Sequence, residues 1–177
     1  GGEGAPLLAE PGAWALREET PGKAFGSGGR SSGFGPVYGD VFDHGAIVFE
    51  YANGVRVYAN VRAQDGCYSE VSDTFLGTKG RCDVLKNRIE GETKWQYDGP
   101  KSNMYDAEHV VLFDAVRSGQ PVNDGVRMVR STMLSLLGQM VCYTGQQMTW
   151  EQALNLPWRA GPESVSVKCA FAPVSSG

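Results

Sequence analysis

Apolar and polar positions alternate through much of the chain between residues 40 and 97, and this period of two is typical of β-strands. The clearest strands flank Asn53-Gly54, with 47–51 before the turn and 55–61 after it. Asn and Gly both tolerate the positive φ angles of a two-residue type I′ turn, so the pattern predicts a β-hairpin. Further strands are predicted at 68–76, 81–85 and 93–97.

The register of this hairpin decides which side chains share a face of the sheet. If Ala52 pairs with Val55, one face is nearly aliphatic and contains Val48, Glu50, Val55, Val57, Ala59 and Val61. The other face mixes aromatic side chains with guanidinium and amide groups, and it contains Ile47, Phe49, Tyr51, Arg56, Tyr58, Asn60 and Arg62. We expect helices to cover the aliphatic face, and we expect the aromatic-polar face to form a homo-oligomer interface.

From Asn103 the apolar spacing changes to that of amphipathic helices. One helix is predicted over 103–118, ended by Gly119, and a second helix begins near Asn123 or Asp124 and ends at Gly145. Gly138 lies inside the second helix, where it costs about 1 kcal/mol relative to Ala. Such a glycine predicts the close approach of another backbone.

Composition divides the chain into three parts. Residues 1–39 are rich in Gly and Pro and keep no apolar period, which predicts an irregular leader. Residues 40–155 contain the strands and helices, and the capping box Thr149–Gln152 opens a last short helix. Residues 156–177 form a weakly patterned tail with an edge strand predicted at 164–170. Strands followed by helices indicate an α+β fold, an open and mainly antiparallel sheet with helices packed on one face.

Charge and cysteine usage narrow the classes of partner. A net charge of -4 gives no general attraction to nucleic acid or anionic lipid, and the apolar runs are far too short to cross a bilayer. We therefore expect neither nucleic acid nor a membrane as a partner. The four cysteines form no C-x-x-C pair and the chain has two histidines, so no metal site is expected.

Several segments occur in an order that carries a family resemblance. They are Tyr38–His44, the Asn-Gly hairpin, Cys67–Ser69, Gly77–Gly80, Glu108–Gly125 and Tyr143–Asn155. Through them, residues 28–155 resemble the carboxy-terminal domain of the Gfo/Idh/MocA family, the relatives of glucose-fructose oxidoreductase and inositol dehydrogenase. The family's nucleotide-binding domain and its Glu-Lys-Pro and Asp-x-x-x-His motifs have no counterpart in this sequence.

The resemblance implies the substrate-binding and oligomerisation domain of an NAD(P)-dependent oxidoreductase that acts on a sugar or polyol. This chain alone is expected to be inactive and to bind neither NAD nor NADP, because it lacks the strand, Gly-rich turn and helix of a pyrophosphate site. Two alternatives stay open: a domain of an NAD-dependent glycosidase of the same family, and a non-enzymatic carbohydrate-binding or oligomerisation domain. The sequence does not distinguish a cytoplasmic from a bacterial periplasmic location.

Four side chains are the first candidates for contact with such a substrate. His109, on the first predicted helix, has the chemistry for proton exchange, although a histidine bonded to a nearby carboxylate or carbonyl is the more common case. Asp43 and His44 precede the first strand, where the family's sheet approaches the nucleotide-binding domain, but the pair also suits a turn. The resemblance places Tyr68 near the sugar in the glycosidase branch. We expect Tyr68 and His109 to share one pocket with Asp43 or His44.

Three other features have alternative interpretations. The donor fork of Arg62 suits a carboxylate or a polyol, or it stacks on Tyr58 at an oligomer interface. The rings of Trp95 and Tyr97 suit either a sugar or core packing. The Gly- and Ser-rich segment 26–35 lacks the strand and helix context of a phosphate loop, so we do not expect it to hold a nucleotide.

Overall fold

The computed structural model describes Leu16, residues 19–32, Phe34, Gly39, residues 41–100 and residues 103–156. Most of residues 1–18 and all of the tail from 157 lie outside the described residues, and so does the edge strand predicted at 164–170.

In the described part of the chain, seven strands come before the two long helices, and a short strand and a short helix follow them. The strands are β1 (Lys23–Gly29), β2 (His44–Glu50), β3 (Arg56–Arg62), β4 (Thr74–Gly77), β5 (Gly80–Asp83), β6 (Arg88–Gly91), β7 (Trp95–Gln96) and β8 (Met148–Thr149). A 3-10 turn spans Val84–Lys86, and the α-helices are α1 (Met104–Ser118), α2 (Gly125–Thr144) and α3 (Trp150–Asn155).

The strands form two antiparallel four-stranded sheets, which confirms the predicted α+β class. The first sheet has the order β3-β2-β1-β8, and the second sheet has the order β4-β5-β6-β7. The first sheet draws its strands from distant parts of the chain, whereas the second is a meander of neighbouring strands. Within the predicted strand 68–76 only the end is a strand, and β6 has no counterpart among the predicted strands.

The expectation of an irregular leader up to residue 39 is wrong for β1. This strand pairs with β2 along its whole length and with β8 at its start, so it lies inside the first sheet. Its sequence, KAFGSGG, has too few large apolar side chains to show an alternation. The small residues have a structural reason, because a Cβ added at Gly28 would lie 3.0 Å from the Cβ of Cys142 in α2.

The hairpin between β2 and β3 has a three-residue loop rather than the predicted two-residue turn. The backbone N–H of Tyr51 donates to the Val55 carbonyl at 3.0 Å, and the N–H of Gly54 donates to the Tyr51 carbonyl at 3.0 Å. Gly54 has a φ of 83°, as expected where a type I turn is followed by a left-handed residue. Tyr51 therefore pairs with Val55, and the predicted pairing of Ala52 with Val55 is wrong.

A change of one residue in register changes the composition of both faces. Phe49 pairs with Val57, and with Tyr51 it lies in the core, where the two rings are 2% and 5% exposed. The inner face thus combines aromatic and aliphatic side chains. The outer face carries His44, Ala46, Val48 and Glu50 from β2 and Arg56, Tyr58, Asn60 and Arg62 from β3.

The core lies between the inner face of the first sheet and α2. Its buried side chains are Ala24, Phe49, Tyr51, Leu134, Leu137, Met140, Val141, Met148 and Ala153. Gly138 allows the close approach that its position predicted, since an added Cβ would lie 3.3 Å from the Phe49 ring and 3.4 Å from the Ile47 side chain. The approach is made by side chains of β2 rather than by a backbone.

The predicted helix ends are confirmed. Asn103 caps α1 and Gly119 ends it at a φ of 69°, while α2 runs from the Asp124 cap to Gly145. The capping box of α3 is present at Thr149. Of the two long helices in the described residues, α2 covers the first sheet, whereas none of the 15 residues of α1 is buried. No helix in the described part of the chain has the length and apolar content needed to cross a membrane.

Candidate functional site

The candidate site lies where β2 begins and β3 ends. His44 is the first residue of β2, Arg62 is the last of β3, and the two are directly opposite in the antiparallel register. Opposite residues have Cβ atoms about 4.5–5.5 Å apart and project from the same face. His44 is an odd number of positions from buried Phe49, so His44 and Arg62 lie together on the outer face.

Asp43 holds the residues around this corner together. Its Oδ2 accepts hydrogen bonds from the backbone N–H groups of Ser31 and Ser32, at 2.8 and 2.7 Å, and from the Ser32 hydroxyl at 3.0 Å. Its Oδ1 accepts from His44 Nδ1 at 2.7 Å and from Gln64 Nε2 at 3.0 Å. The carboxylate thereby joins the end of β1 to the start of β2 and to the segment after β3.

These contacts keep Asp43 ionised. Loss of water around the carboxyl raises its pKa, because the side chain is 9% exposed, but the hydrogen bonds from His44, Ser32, Gln64 and Ser31 together outweigh that effect and hold the pKa well below its ordinary value. An ionised carboxylate only accepts hydrogen bonds. The hydrogen between Asp43 and His44 therefore belongs to Nδ1 of the histidine.

This assignment makes the second ring nitrogen of His44 the chemically available one. With Nδ1 protonated, Nε2 of the neutral ring carries a lone pair and accepts hydrogen bonds. The ring passes close to Gly29, since a Cβ added there would lie 3.2 Å from Nε2. The side chain is 42% exposed, so the ring is within reach of a ligand on the outer face.

An open pocket of about 580 Å³ occupies this corner of the outer face. His44, Arg62 and Tyr68 line it, and Asp43 lies directly behind His44. The pocket therefore contains Tyr68 together with His44, a grouping that the sequence predicted, and it also contains Arg62.

Arg62 at the end of β3 and Tyr68 in the segment after it form one wall of the pocket. Arg62 Nη2 donates to the Tyr68 carbonyl at 2.7 Å, and the Tyr68 hydroxyl donates to Glu70 Oε2 at 2.9 Å. The hydrogen bond to Glu70, together with its negative charge, raises the pKa of Tyr68, and the same bond lowers the pKa of Glu70. Tyr68 is 77% exposed, so its ring borders the pocket without closing it.

His109 is not part of this arrangement, since it is absent from the described residues that line the pocket. It lies on the exposed helix α1, and its Nδ1 contacts the Tyr105 carbonyl at 2.6 Å, which is the carbonyl-bonded alternative. Trp95 and Tyr97 lie at the end of the second sheet, 49% and 44% exposed, with ring centroids 6.3 Å apart.

Several residues of the site had not been selected from the sequence. Asn60 and Gln64 line the pocket, and they continue the period of two that includes Arg62 on the outer face of β3. The period of two could have predicted that Gln64 lies on the same side as Arg62, even though β3 ends before Gln64. Ser31 and Ser32 belong to the Gly- and Ser-rich segment, and their N–H groups bind a carboxylate of the same chain.

The described residues do not fit a dinucleotide or a metal ion. Both sheets are antiparallel, so the strand, turn and helix of a pyrophosphate site are not found among them, and the amide donors of Ser31 and Ser32 are bonded to Asp43. Nor does the described part of the chain contain a cluster of three or more side chains suited to hold a metal.

Comparison with family models and with curated proteins finds no match. Among solved structures, the oxidoreductase TM0312 from Thermotoga maritima has a TM-score of 0.63 and 18% identity, over 85% of this chain and 44% of that chain. GenD2 from gentamicin A biosynthesis, in complex with NAD, has a TM-score of 0.54 and 17% identity, over 77% of this chain and 44% of that chain.

An oxidoreductase from Agrobacterium radiobacter, in complex with NAD+, L-tartaric acid and magnesium, has a TM-score of 0.55 and 14% identity, over 78% of this chain and 46% of that chain. At these identities the likeness shows the fold alone. This chain shares the fold of one part of each of these three structures and spans less than half of their length.

Proposed function

We propose that this chain is the substrate-binding and oligomerisation domain of an NAD(P)-dependent oxidoreductase that acts on a sugar or polyol. The observation that carries the proposal is the pocket on the outer face, where Asp43 orients His44 beside Arg62 and Tyr68. Supporting it, two of the three solved structures compared above are named as oxidoreductases, and two of the three contain NAD.

The chemistry of the pocket suits a ligand with many hydroxyl groups. A hydroxyl both donates and accepts hydrogen bonds, and the wall of the pocket offers both donors and acceptors. Arg62 donates, Glu70 accepts, and the Asn60 amide does both. In this proposal NAD or NADP binds outside the described residues, and His44 Nε2 is the atom that exchanges a proton with the substrate.

Oligomer formation is proposed through the outer face of the first sheet. Phe25, Val48 and Tyr58 are neighbours across three strands, and Tyr58 is 65% exposed. Beside them, Glu50 forms ion pairs with Lys23 at 2.9 Å and with Arg56 at 2.5 Å. An apolar row beside a charged row is typical of an interface. This row replaces the predicted set, because Phe49 and Tyr51 lie in the core.

The test of function uses the longest natural protein that contains this sequence. We expect it to reduce NAD or NADP, followed at 340 nm, with at least one sugar or polyol. His44→Gln should lower kcat by about 100-fold, the range of general acid–base catalysis, while the matched variant His109→Gln keeps the natural rate. Absence of reduced cofactor across a broad panel, or an equal loss in both variants, would refute the proposal.

The interface is tested with this chain by light scattering at tens of micromolar. Tyr58→Glu should shift an oligomer toward monomer, because it places a charge in the apolar row. Leu76→Glu is the control, since Leu76 is 81% exposed on the second sheet. A natural chain that is monomeric at this concentration contradicts the proposed interface.

A further inference from the structure

We propose that the pocket recognises a polyhydroxylated 2-hydroxy acid, whose carboxylate pairs with Arg62 while the neighbouring hydroxyl donates to His44 Nε2. This inference rests on the proposed function and adds the substrate class. The observation behind it is the direct pairing of His44 with Arg62 across β2 and β3.

The His44 half of the pair accepts a hydrogen bond in one fixed orientation. Asp43 binds Nδ1–H at 2.7 Å, and Asp43 is itself held by the amides of Ser31 and Ser32. The ring therefore has little freedom to rotate, and Nε2 is the nitrogen that carries the lone pair in the neutral ring. A ligand atom that meets Nε2 must carry a hydrogen, as an alcohol does and a carboxylate does not.

The Arg62 half provides the opposite preference. Arginine has N–H donors only, arranged in a planar fork that matches a carboxylate. One nitrogen of the fork, Nη2, is bonded to the Tyr68 carbonyl, and this bond fixes the guanidinium at the wall of the pocket. The Cβ atoms of the two residues are neighbours, so a carboxylate and a hydroxyl on adjacent carbons can meet both side chains at once.

Glu70 limits where a negative charge can lie. Its carboxylate also lines the pocket, and its Oε2 accepts from the Tyr68 hydroxyl at 2.9 Å. Because like charges repel, a second carboxylate at the far end of the ligand would be disfavoured, whereas a hydroxyl would donate to Glu70. Asn60, which also lines the pocket, offers its amide group to a hydroxyl of the ligand. The predicted preference is therefore for an acid at one end only.

The experiment measures ligand binding by NMR with the 177-residue chain. The probes are gluconate, its neutral counterpart glucitol, and the diacid glucarate, and the galactose series provides the other stereochemistry. We expect the preferred mono-acid to bind about tenfold more tightly than its alditol, which corresponds to about 1.4 kcal/mol. It should also bind more tightly than its diacid, and it should shift the His44 ring signals.

Two variants connect the preference to the proposed residues. Arg62→Gln should reduce the ratio of the acid's affinity to the alditol's affinity to less than about twofold, because it removes the positive charge that pairs with the carboxylate. Arg88→Gln is the matched control, because Arg88 pairs with Glu90 on the second sheet and is absent from the described residues that line the pocket. In the free protein, ring nitrogen shifts should show His44 protonated at Nδ1.

The outcomes separate this inference from the proposed function. Equal binding of acid and alditol at the pocket, unchanged in Arg62→Gln, overturns acid recognition while the polyol site stands. Stronger binding of the diacid, or a His44 ring protonated at Nε2, overturns the assigned contacts. If neither acid nor alditol perturbs the pocket in either stereochemical series, both the inference and the proposed site are wrong.

Discussion

The first sheet with α2 differs from the second sheet with α1, the helix that follows it in sequence, in how far the apolar side chains are buried. The first sheet has α2 packed on its inner face, and Leu137 in that helix is fully buried. The second sheet precedes α1, where Leu112 and Phe113 are 55% and 51% exposed. Both helices have amphipathic sequences with capped ends. A helical pattern therefore predicts the helix, but it does not predict which surface the apolar side chains will meet.

The contrast extends to the sheets themselves. In the first sheet, small residues of β1 bring α2 close enough for Cys142 to contact the Ser27 carbonyl at 3.5 Å. The second sheet also has an apolar face, formed by Phe75, Cys82, Ile89 and Trp95, and Trp95 is 49% exposed. We therefore expect the first sheet with α2 to unfold as one cooperative unit and α1 to open more readily.

The largest expected difference between α2 and α1 comes from truncating one buried leucine and one exposed leucine to alanine. Leu137→Ala should lower the free energy of unfolding by about 2–5 kcal/mol, because the deletion leaves a cavity in the core. Leu112→Ala should change it by about 0.5 kcal/mol or less. Urea denaturation measures both values. Equal losses would mean that α1 is as well packed as α2 in solution.

A second change tests the close approach of α2 to β2. Gly138→Leu should cost about 1–3 kcal/mol, because the new side chain overlaps the Phe49 ring and the Ile47 side chain. Gln139→Leu is the matched control, one position further along the helix and exposed. Thermal unfolding of both variants measures the difference. A stable Gly138→Leu variant would show that the helix can move away from the sheet at little cost.

Removing a helix cap should change the free energy of unfolding by less, and again only where the helix is packed against the core. Thr149→Ala should destabilise the chain by about 0.5–2 kcal/mol, because it removes the capping box of α3, whose Ala153 is in the core. Asn103→Ala removes the bond to the Tyr105 N–H in α1. There we expect faster hydrogen exchange in the first turn and an unchanged global transition. A global loss from Asn103→Ala would contradict the independence of α1.

The smallest expected effects are dependences on pH, with opposite signs in the two regions. The pKa of Asp43 is lowered by folding, so its stabilisation is complete above the unfolded value of about 3.9 and is lost as pH falls below it. Asp43→Asn should therefore be destabilising at pH 6, with a deficit that shrinks below about pH 4.

Asp73, next to the second sheet, provides the counterpart. Loss of water raises the pKa of its carboxyl, so its ionisation opposes folding as pH rises above about 4. Asp73→Asn should then be neutral in acid and slightly stabilising at pH 6. Denaturation curves recorded from pH 3 to 7 test both variants, and the same pH trend in both would contradict the assigned shifts.

The candidate site was predictable from the sequence in part. Asp43, His44, Arg62 and Tyr68 were selected for their chemistry and for a resemblance, and the predicted grouping of Tyr68 with Asp43 or His44 is present in the structure. Gln64 and the Ser31 and Ser32 amides were missed, because their role depends on contacts between segments that are 11 to 33 residues apart. His109 was selected for its chemistry alone, which does not specify its neighbours.

The sequence by itself determined the local features of this protein. Helix ends at Gly119 and Gly145, the capping box at Thr149 and the α+β order all follow from interactions within a few residues, which a local pattern records. Only the tertiary structure decided the register of the hairpin, the place of β1 inside the first sheet and the exposure of α1. These features depend on packing between distant segments. A loop one residue longer than expected was enough to turn Phe49 from a predicted interface into the core.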